Sequence, residues 1–336
     1  MLPDGIPHHV EPTSRADALF ALALYANRLA VRVLREDQHM RLTNATWKVT
    51  PRWLFLLFFL MLPGRLAWAQ ADITGEWSPR VYNDGMDVGD YTGIPINEAG
   101  RLRAESWHPD LPDLPENLCR PHPIDIGLRV SVSQLYISRE LDSETRQQIG
   151  YRLHVAWQEP EQVIYTDGRP HPSANAAHKW SGFSTGHWEG NTLVYTTDHL
   201  KEAYLTRTGV PRSANATVTT RIKRYGNYLN VTFIINDPAY LTEPYIREYS
   251  WVYTPDQVIA PFPCEIIPEG TILAAGRVPS YLPGKNDILT DFATEYGLPL
   301  DAALGGAETT YPEYIKKMKT MKIAPRTTTE HYKRSQ

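Results

Sequence analysis

Several things are scarce in this sequence, and each scarcity excludes something. Only two cysteines, Cys119 and Cys264, occur in 336 residues. Neither has a CxxC partner, so a cysteine-built zinc cluster is not expected. Positive charge is also short: 34 Lys and Arg stand against 38 Asp and Glu, a formal net charge of −4. Nucleic-acid surfaces need a basic stripe, so no nucleic-acid partner is expected. Long apolar runs are missing as well. The most apolar one, Trp53–Leu62, falls short of the about 20 residues that span a bilayer.

That short run has a different character. Lys48 and Arg52 precede it, and Ala67-Trp68-Ala69 follows it, then Gln70. A basic start, a short apolar middle and an A-x-A site are the three parts of a secretory signal. A short membrane anchor or a buried helix is the alternative. The run lies inside the chain, which places the start of translation at Met40 and the signal over residues 40–69. Residues 1–39 are then either an over-extended reading frame or a genuine extension, in which Ala16–Arg35 reads as an amphipathic helix. The expected mature protein is exported to the periplasm and keeps no membrane span after cleavage. Export permits a Cys119–Cys264 disulfide; two free buried thiols are the alternative.

Aromatic residues and turn formers are plentiful: 19 Tyr, 9 Trp, 8 Phe, 27 Pro and 21 Gly. This favours a mainly β, turn-rich fold. Ile73–Trp77, Val130–Ile137, Tyr151–Trp157, Thr217–Tyr225, Leu229–Ile235 and Ile246–Tyr253 read as strands, several with clear alternation. Gly226-Asn227 predicts a two-residue hairpin turn. Strands in sequence joined by short turns predict an antiparallel meander closing into a lipocalin-like barrel over residues 70–265, with a β-sandwich as the alternative. Peripheral helices are expected at Asn97–Ser106, capped by Asn97, and at Tyr311–Ile323. The second carries Lys316, Lys317, Lys319 and Lys322, and reads as a solvated, docked helix or as one that touches an anionic membrane. Residues 266–336 otherwise read as a loop-rich extension.

Residues 163–195 hold the densest mixture of titratable groups and turn signals. Asp167-Gly168 is turn chemistry, so Asp167 reads as a turn residue or as a partner of Arg169. His171 stands between Pro170 and Pro172, which restrict the backbone and fix the imidazole. It reads as a general acid–base group beside a carboxylate, or as a packed histidine at a barrel rim. His178, His187 and His199 match no metal-ligand spacing, and no metal or cofactor is expected. Gly182-Phe183-Ser184-Thr185-Gly186 looks like a nucleophile elbow but has β flanks on both sides, which excludes it. Glu189 belongs to the turn Glu189-Gly190-Asn191. Trp157, Trp180, Trp188 and Trp251 fill the core or line an apolar cavity.

The run Ile164–Pro172, followed by W-x-G-x-S-x-G-x-W-E-G-x-T-L-V from Trp180, resembles a large family of uncharacterised exported bacterial proteins. Asn236–Tyr240 and the Cys119-x-Pro segment share the likeness, which covers roughly residues 70–265. It implies a lipocalin-like β domain and no defined activity. Asn191, Phe183 and Arg212 stand where that family usually has Asp, His and His. The first expectation is a binder of a small, largely apolar or aromatic ligand, held by Asp167, Arg169, His171, Trp180 and Trp188. The alternatives are a lyase, isomerase or hydrolase with an Asp/His pair, and a structural or interaction domain of the envelope. Sequencing the N-terminus of the exported protein tests the processing: the first residue is Gln70, and a start elsewhere excludes cleavage after Ala69.

Overall fold

A computed structural model describes residues 70–80, 88–108, 118–121, 123, 125, 134–205, 209–266 and 281–323. The signal at 40–69, the extension at 1–39 and the strand start at 130–133 lie outside the described residues.

Nine strands form a closed barrel. In chain order the strands are β1 (Gly75–Pro79), β2 (Leu135–Leu141), β3 (Gln148–Val155), β4 (Glu161–Tyr165), β5 (Phe183–Glu189) and β6 (Thr192–Asp198), then a short ribbon β7 (Ala203–Tyr204) and β8 (Pro211–Arg212), then β9 (Thr217–Tyr225), β10 (Tyr228–Asn236) and β11 (Tyr245–Tyr253). Among the described residues the ribbon pairs only with itself, and β1 closes the barrel by pairing with both β2 and β11. Trp77 sits at this closure, opposite Leu135 on one side and Tyr253 on the other. The two-residue turn at Gly226-Asn227 joins β9 to β10 as its sequence predicts, with Tyr225 opposite Tyr228. Gly190-Asn191 does the same for β5 and β6.

One pairing departs from an antiparallel meander. β4 and β5 run parallel, joined at Ile164↔Ser184 and Tyr165↔Thr185. Parallel neighbours need a crossover to bring the chain back to the same end, and residues 166–182 supply it. Alternation within a strand says which side chains point inward but not which way its neighbour runs.

The alternation does fix the interior. Val218, Ile222, Leu229, Val231, Phe233 and Ile235 face inward from β9 and β10 and join Trp77, Leu153 and Trp251 in one buried cluster. Trp77 Nε1 donates to the Ile73 carbonyl at 3.1 Å, so its one polar atom is satisfied. Towards one end the filling turns polar. Gln162 Nε2 donates to Ser184 Oγ and Thr197 Oγ1, and Tyr195 donates to Gln162 Oε1. The interstice among Asp125, Gln162, Tyr195, Thr197 and Phe233 is too narrow for a water molecule. Beside it Arg212, fully buried, lies 3.1 Å from the Asp125 carboxylate and donates to the Ser213 and Lys201 carbonyls. Asp237 accepts from the Ser213 backbone and hydroxyl. These buried charges are partnered, as burial requires.

Outside the barrel, α1 (Glu98–Glu105) starts at Asn97, whose side chain accepts from Gly100 N at 2.9 Å. The part after residue 265 differs from a loop-rich extension with one helix. It holds α2 (Asp291–Tyr296), α3 (Leu300–Ala303) and α4 (Pro312–Met318), with two 3-10 turns. It is not set apart from the preceding residues either. Tyr91 N bonds Ala303 O at 2.9 Å, and Gly93 N bonds Gly306 O at 3.3 Å. Helices of four to seven residues are too short to display a 3.6-residue period, which is why the sequence reads as loop there. The helix expected over Tyr311–Ile323 ends at Met318. None of its side chains is buried, so no packed face extends it. Among the described residues, no helix is long and apolar enough to cross a membrane.

Cys119 and Cys264 form a disulfide that spans 145 residues of sequence. A bridge that closes so long a loop restricts the unfolded chain strongly. Replacing both cysteines by Ser lowers stability by about 3–4 kcal/mol, read as an earlier urea midpoint. An unchanged midpoint would show that the bridge contributes nothing.

Candidate functional site

The crossover at the parallel seam carries most of the candidate chemistry. After Tyr165 the chain turns at Gly168, whose φ of +83° suits glycine. Asp167 accepts from the Arg169 backbone N–H and from its Nε at 2.9 Å. That guanidinium holds the Asp167 carboxyl below its ordinary range. It also lies 3.7 Å from the centre of the Tyr165 ring. Asp167 and Arg169 are therefore each other's partners, and Asp167 is not the carboxylate that faces His171.

That role falls to Asp198. His171 Nδ1 lies 2.8 Å from Asp198 Oδ2. The contact has ion-pair distance but not the alignment of a hydrogen bond. On the other side of the ring, His171 Nε2 is 2.6 Å from Thr185 Oγ1. Register explains the meeting. On β5 Ser184 points into the barrel, so Thr185 points out. Across the β5–β6 pair, Asp198 sits opposite Phe183, next along from Ser184 and Thr185. Phe183 packs against the His171 ring edge-on, with centroids 5.4 Å apart. Its tilted contact with Tyr165, at 5.5 Å, continues the aromatic wall. His171 keeps 27% of its side chain exposed, so the site opens to solvent.

Asp198 holds a second histidine. His199 Nδ1 is 2.7 Å from Asp198 Oδ1, and His199 Nε2 is 2.9 Å from the Ser173 carbonyl. Both ring nitrogens face acceptors, which favours the doubly protonated imidazolium. Neighbours on a strand normally point to opposite faces. His199 escapes this because its backbone turns left-handed, with φ +52°. That conformation is costly for a residue with a Cβ and persists where surrounding contacts enforce it. The enforcing contacts are present: Lys179 N donates to His199 O, Lys201 N donates to Lys179 O, and His178 Nδ1 bonds the Leu200 carbonyl at 2.8 Å. Gly182 passes at φ +63° where a Cβ would lie 2.4 Å from the Asp198 carbonyl, so only glycine fits.

The charges follow from this geometry. Burial raises the Asp198 pKa, but His199 and His171 outweigh burial and hold the group below its ordinary value. Asp198, aided by the Ser173 carbonyl, raises His199 against the opposing effect of burial. His171 differs from His199 in facing one carboxylate and one hydroxyl.

The other expected site residues lie elsewhere. Trp180 sits on the crossover with Lys201 Nζ 4.9 Å from its ring centre. Trp188 points into the barrel and packs edge-on against Tyr151. His187 pairs with Glu189 at 3.4 Å on the outer face of β5. Among the described residues, no three His, Cys, Asp or Glu side chains converge as metal ligands. Thr185 and Asp198 were not foreseeable as partners of His171 from spacing, because two strands and a crossover bring them together. The Asp198-His199 dipeptide at a strand end is the one local signal.

Neither family models, nor curated proteins, nor solved structures contain a match to this chain.

The opposite shifts of Asp198 and His199 set a pH window. A raised imidazole contributes stability that is complete below about 6.5 and lost as pH rises through its folded value. A lowered carboxyl contributes stability above about 3.8 that is lost as pH falls through its folded value. The crossover is therefore held best between those limits and loosens as pH rises through the raised His199 value. Limited proteolysis of residues 166–182 across this range reads the effect. Asp198→Asn cuts faster in the window and loses the pH dependence; equal profiles for the two proteins exclude the coupling.

Proposed function

We propose that the protein is an exported enzyme of the acyl-transfer or hydrolase type, with Thr185 as nucleophile, His171 as general base and Asp198 as the group that orients His171. The observation that carries this reading is the chain of contacts Thr185 Oγ1–His171 Nε2–His171 Nδ1–Asp198 Oδ2, at 2.6 and 2.8 Å. A hydroxyl is a weak nucleophile until an adjacent base takes its proton, and the base needs a third group to fix its tautomer. The loose Nδ1 alignment is of the kind that tightens when substrate binds. Export is supported by the leader pattern before Gln70 and by the Cys119–Cys264 bridge.

The step balances simply. Thr185 Oγ1 bonds the carbonyl carbon of an ester as its proton passes to His171 Nε2. The imidazolium then gives that proton to the departing alcohol. Water repeats the sequence and frees Thr185, while Asp198 stays ionised throughout. Phe183 packs against the histidine and Tyr165 against Phe183, which favours a substrate with a flat apolar group.

The same wall supports a second reading, a binder of small aromatic molecules without turnover. In that reading the ligand lies on the outer aromatic wall, because packed side chains fill the barrel interior.

An organophosphorus fluoride and aryl esters separate the two. The enzyme reading expects one covalent adduct on Thr185, lost in Thr185→Val and His171→Ala. Aryl-ester turnover falls at least about a hundredfold in either variant. Turnover in Thr185→Val equal to wild type rejects the nucleophile. Saturable binding of aryl compounds with no turnover in the native protein leaves only the binder.

A further inference from the structure

The C-terminal segment that contains α4 combines basic and apolar exposed side chains. Residues 311–323 contain four lysines and a single acid, Glu313, in a chain that is acidic overall. Lys316, Lys317, Lys319 and Lys322 are all exposed. So are the apolar side chains between them: Tyr311 at 51%, Ile315 at 49% and Ile323 at 57%. Tyr311 caps the helix in extended backbone, and Ile315 N donates to its carbonyl one turn on. No side chain of α4 is buried. Its links to the fold are local, chiefly the Tyr314 hydroxyl donating to the Asp301 carbonyl at 3.2 Å.

A helix of seven residues is not stable in water on its own propensity. Helices this short usually rest an apolar face on the core, and α4 turns Ile315 to solvent instead. We propose that residues 311–323 form a peripheral docking segment for an anionic lipid surface. The charge is complementary to acidic headgroups. The composition also fits: Tyr and Ile insert at headgroup depth while lysine stems lie along the interface with their ammonium groups in water. The apolar residues alternate with lysines instead of forming a groove, which suits a flat charged surface better than a protein partner. Such a contact leaves the seam around His171 as it is.

Co-sedimentation of the full protein with vesicles tests this. Vesicles of phosphatidylcholine mixed with phosphatidylglycerol pellet the protein at low salt, and high salt releases it. Phosphatidylcholine alone does not pellet it. Lys316→Gln, Lys319→Gln and Lys322→Gln together weaken binding roughly a hundredfold, from about fivefold per lysine near such a surface. Ile315→Ser weakens it as well, with thermal midpoints of both variants unchanged because the positions are exposed. No binding by the native protein, equal binding to the neutral vesicles, or undiminished binding by the triple variant each overturns the proposal.

Discussion

The parallel seam between β4 and β5 is the constraint from which the rest follows. Every other pairing in the barrel is antiparallel. Here the chain must leave the end of β4 and return to the start of β5 along the outside of the barrel. Only two residue pairs join the strands directly. The crossover must therefore be fastened by other means, and the fasteners are polar. Ser181 Oγ donates to the Glu161 carbonyl, Lys179 exchanges backbone bonds with His199 and Lys201, and His199 reaches Ser173. His171 arrives beside Thr185 and Asp198 because it rides on this strap.

The two faces of β5 divide the work. Ser184 faces in and is locked by Gln162 and Thr197 in a buried polar layer. Thr185 faces out to His171. A fully bonded layer one residue away holds the outer hydroxyl in place, since a buried polar network that is satisfied rigidifies its surroundings. The barrel thus acts as a rigid scaffold while the crossover supplies the adaptable side chains. That is the usual division of labour between scaffold and loop.

Much of this was legible in the sequence, and the limits have physical causes. Val218, Ile222, Leu229, Val231, Phe233 and Ile235 declared their inward face through strict alternation, and Gly226-Asn227 declared its turn. Asn97 declared its cap, and the pair of cysteines allowed the disulfide that forms. The proline-flanked His171 was visible as a fixed imidazole. Its partners were not, because Asp198 is 27 positions away and is reached through a register that only the sheet defines. Trp188 lies apart from His171, inside the barrel, for the opposite reason. It alternates correctly with His187, but nothing local says that the inner side is filled. The parallel direction of β5 left no trace in composition at all.

The pairing of two histidines on one carboxylate has a consequence for how such a site would work. Asp198 faces both rings, with His171 Nδ1 2.8 Å from Oδ2 and His199 Nδ1 2.7 Å from Oδ1. The two rings are not equivalent, and His199 is the better held. Its ring faces two acceptors, which favours its charged form and helps hold the Asp198 carboxyl below its ordinary value. The other Asp198 oxygen faces His171 Nδ1, and Nε2 on the far side of that ring faces the Thr185 hydroxyl. The left-handed backbone of His199 is what places the cation there, because a regular strand would turn the ring to the other face. The strain at His199 is thus explained by the charge it delivers, and the seam that holds the strap also holds that strain in place.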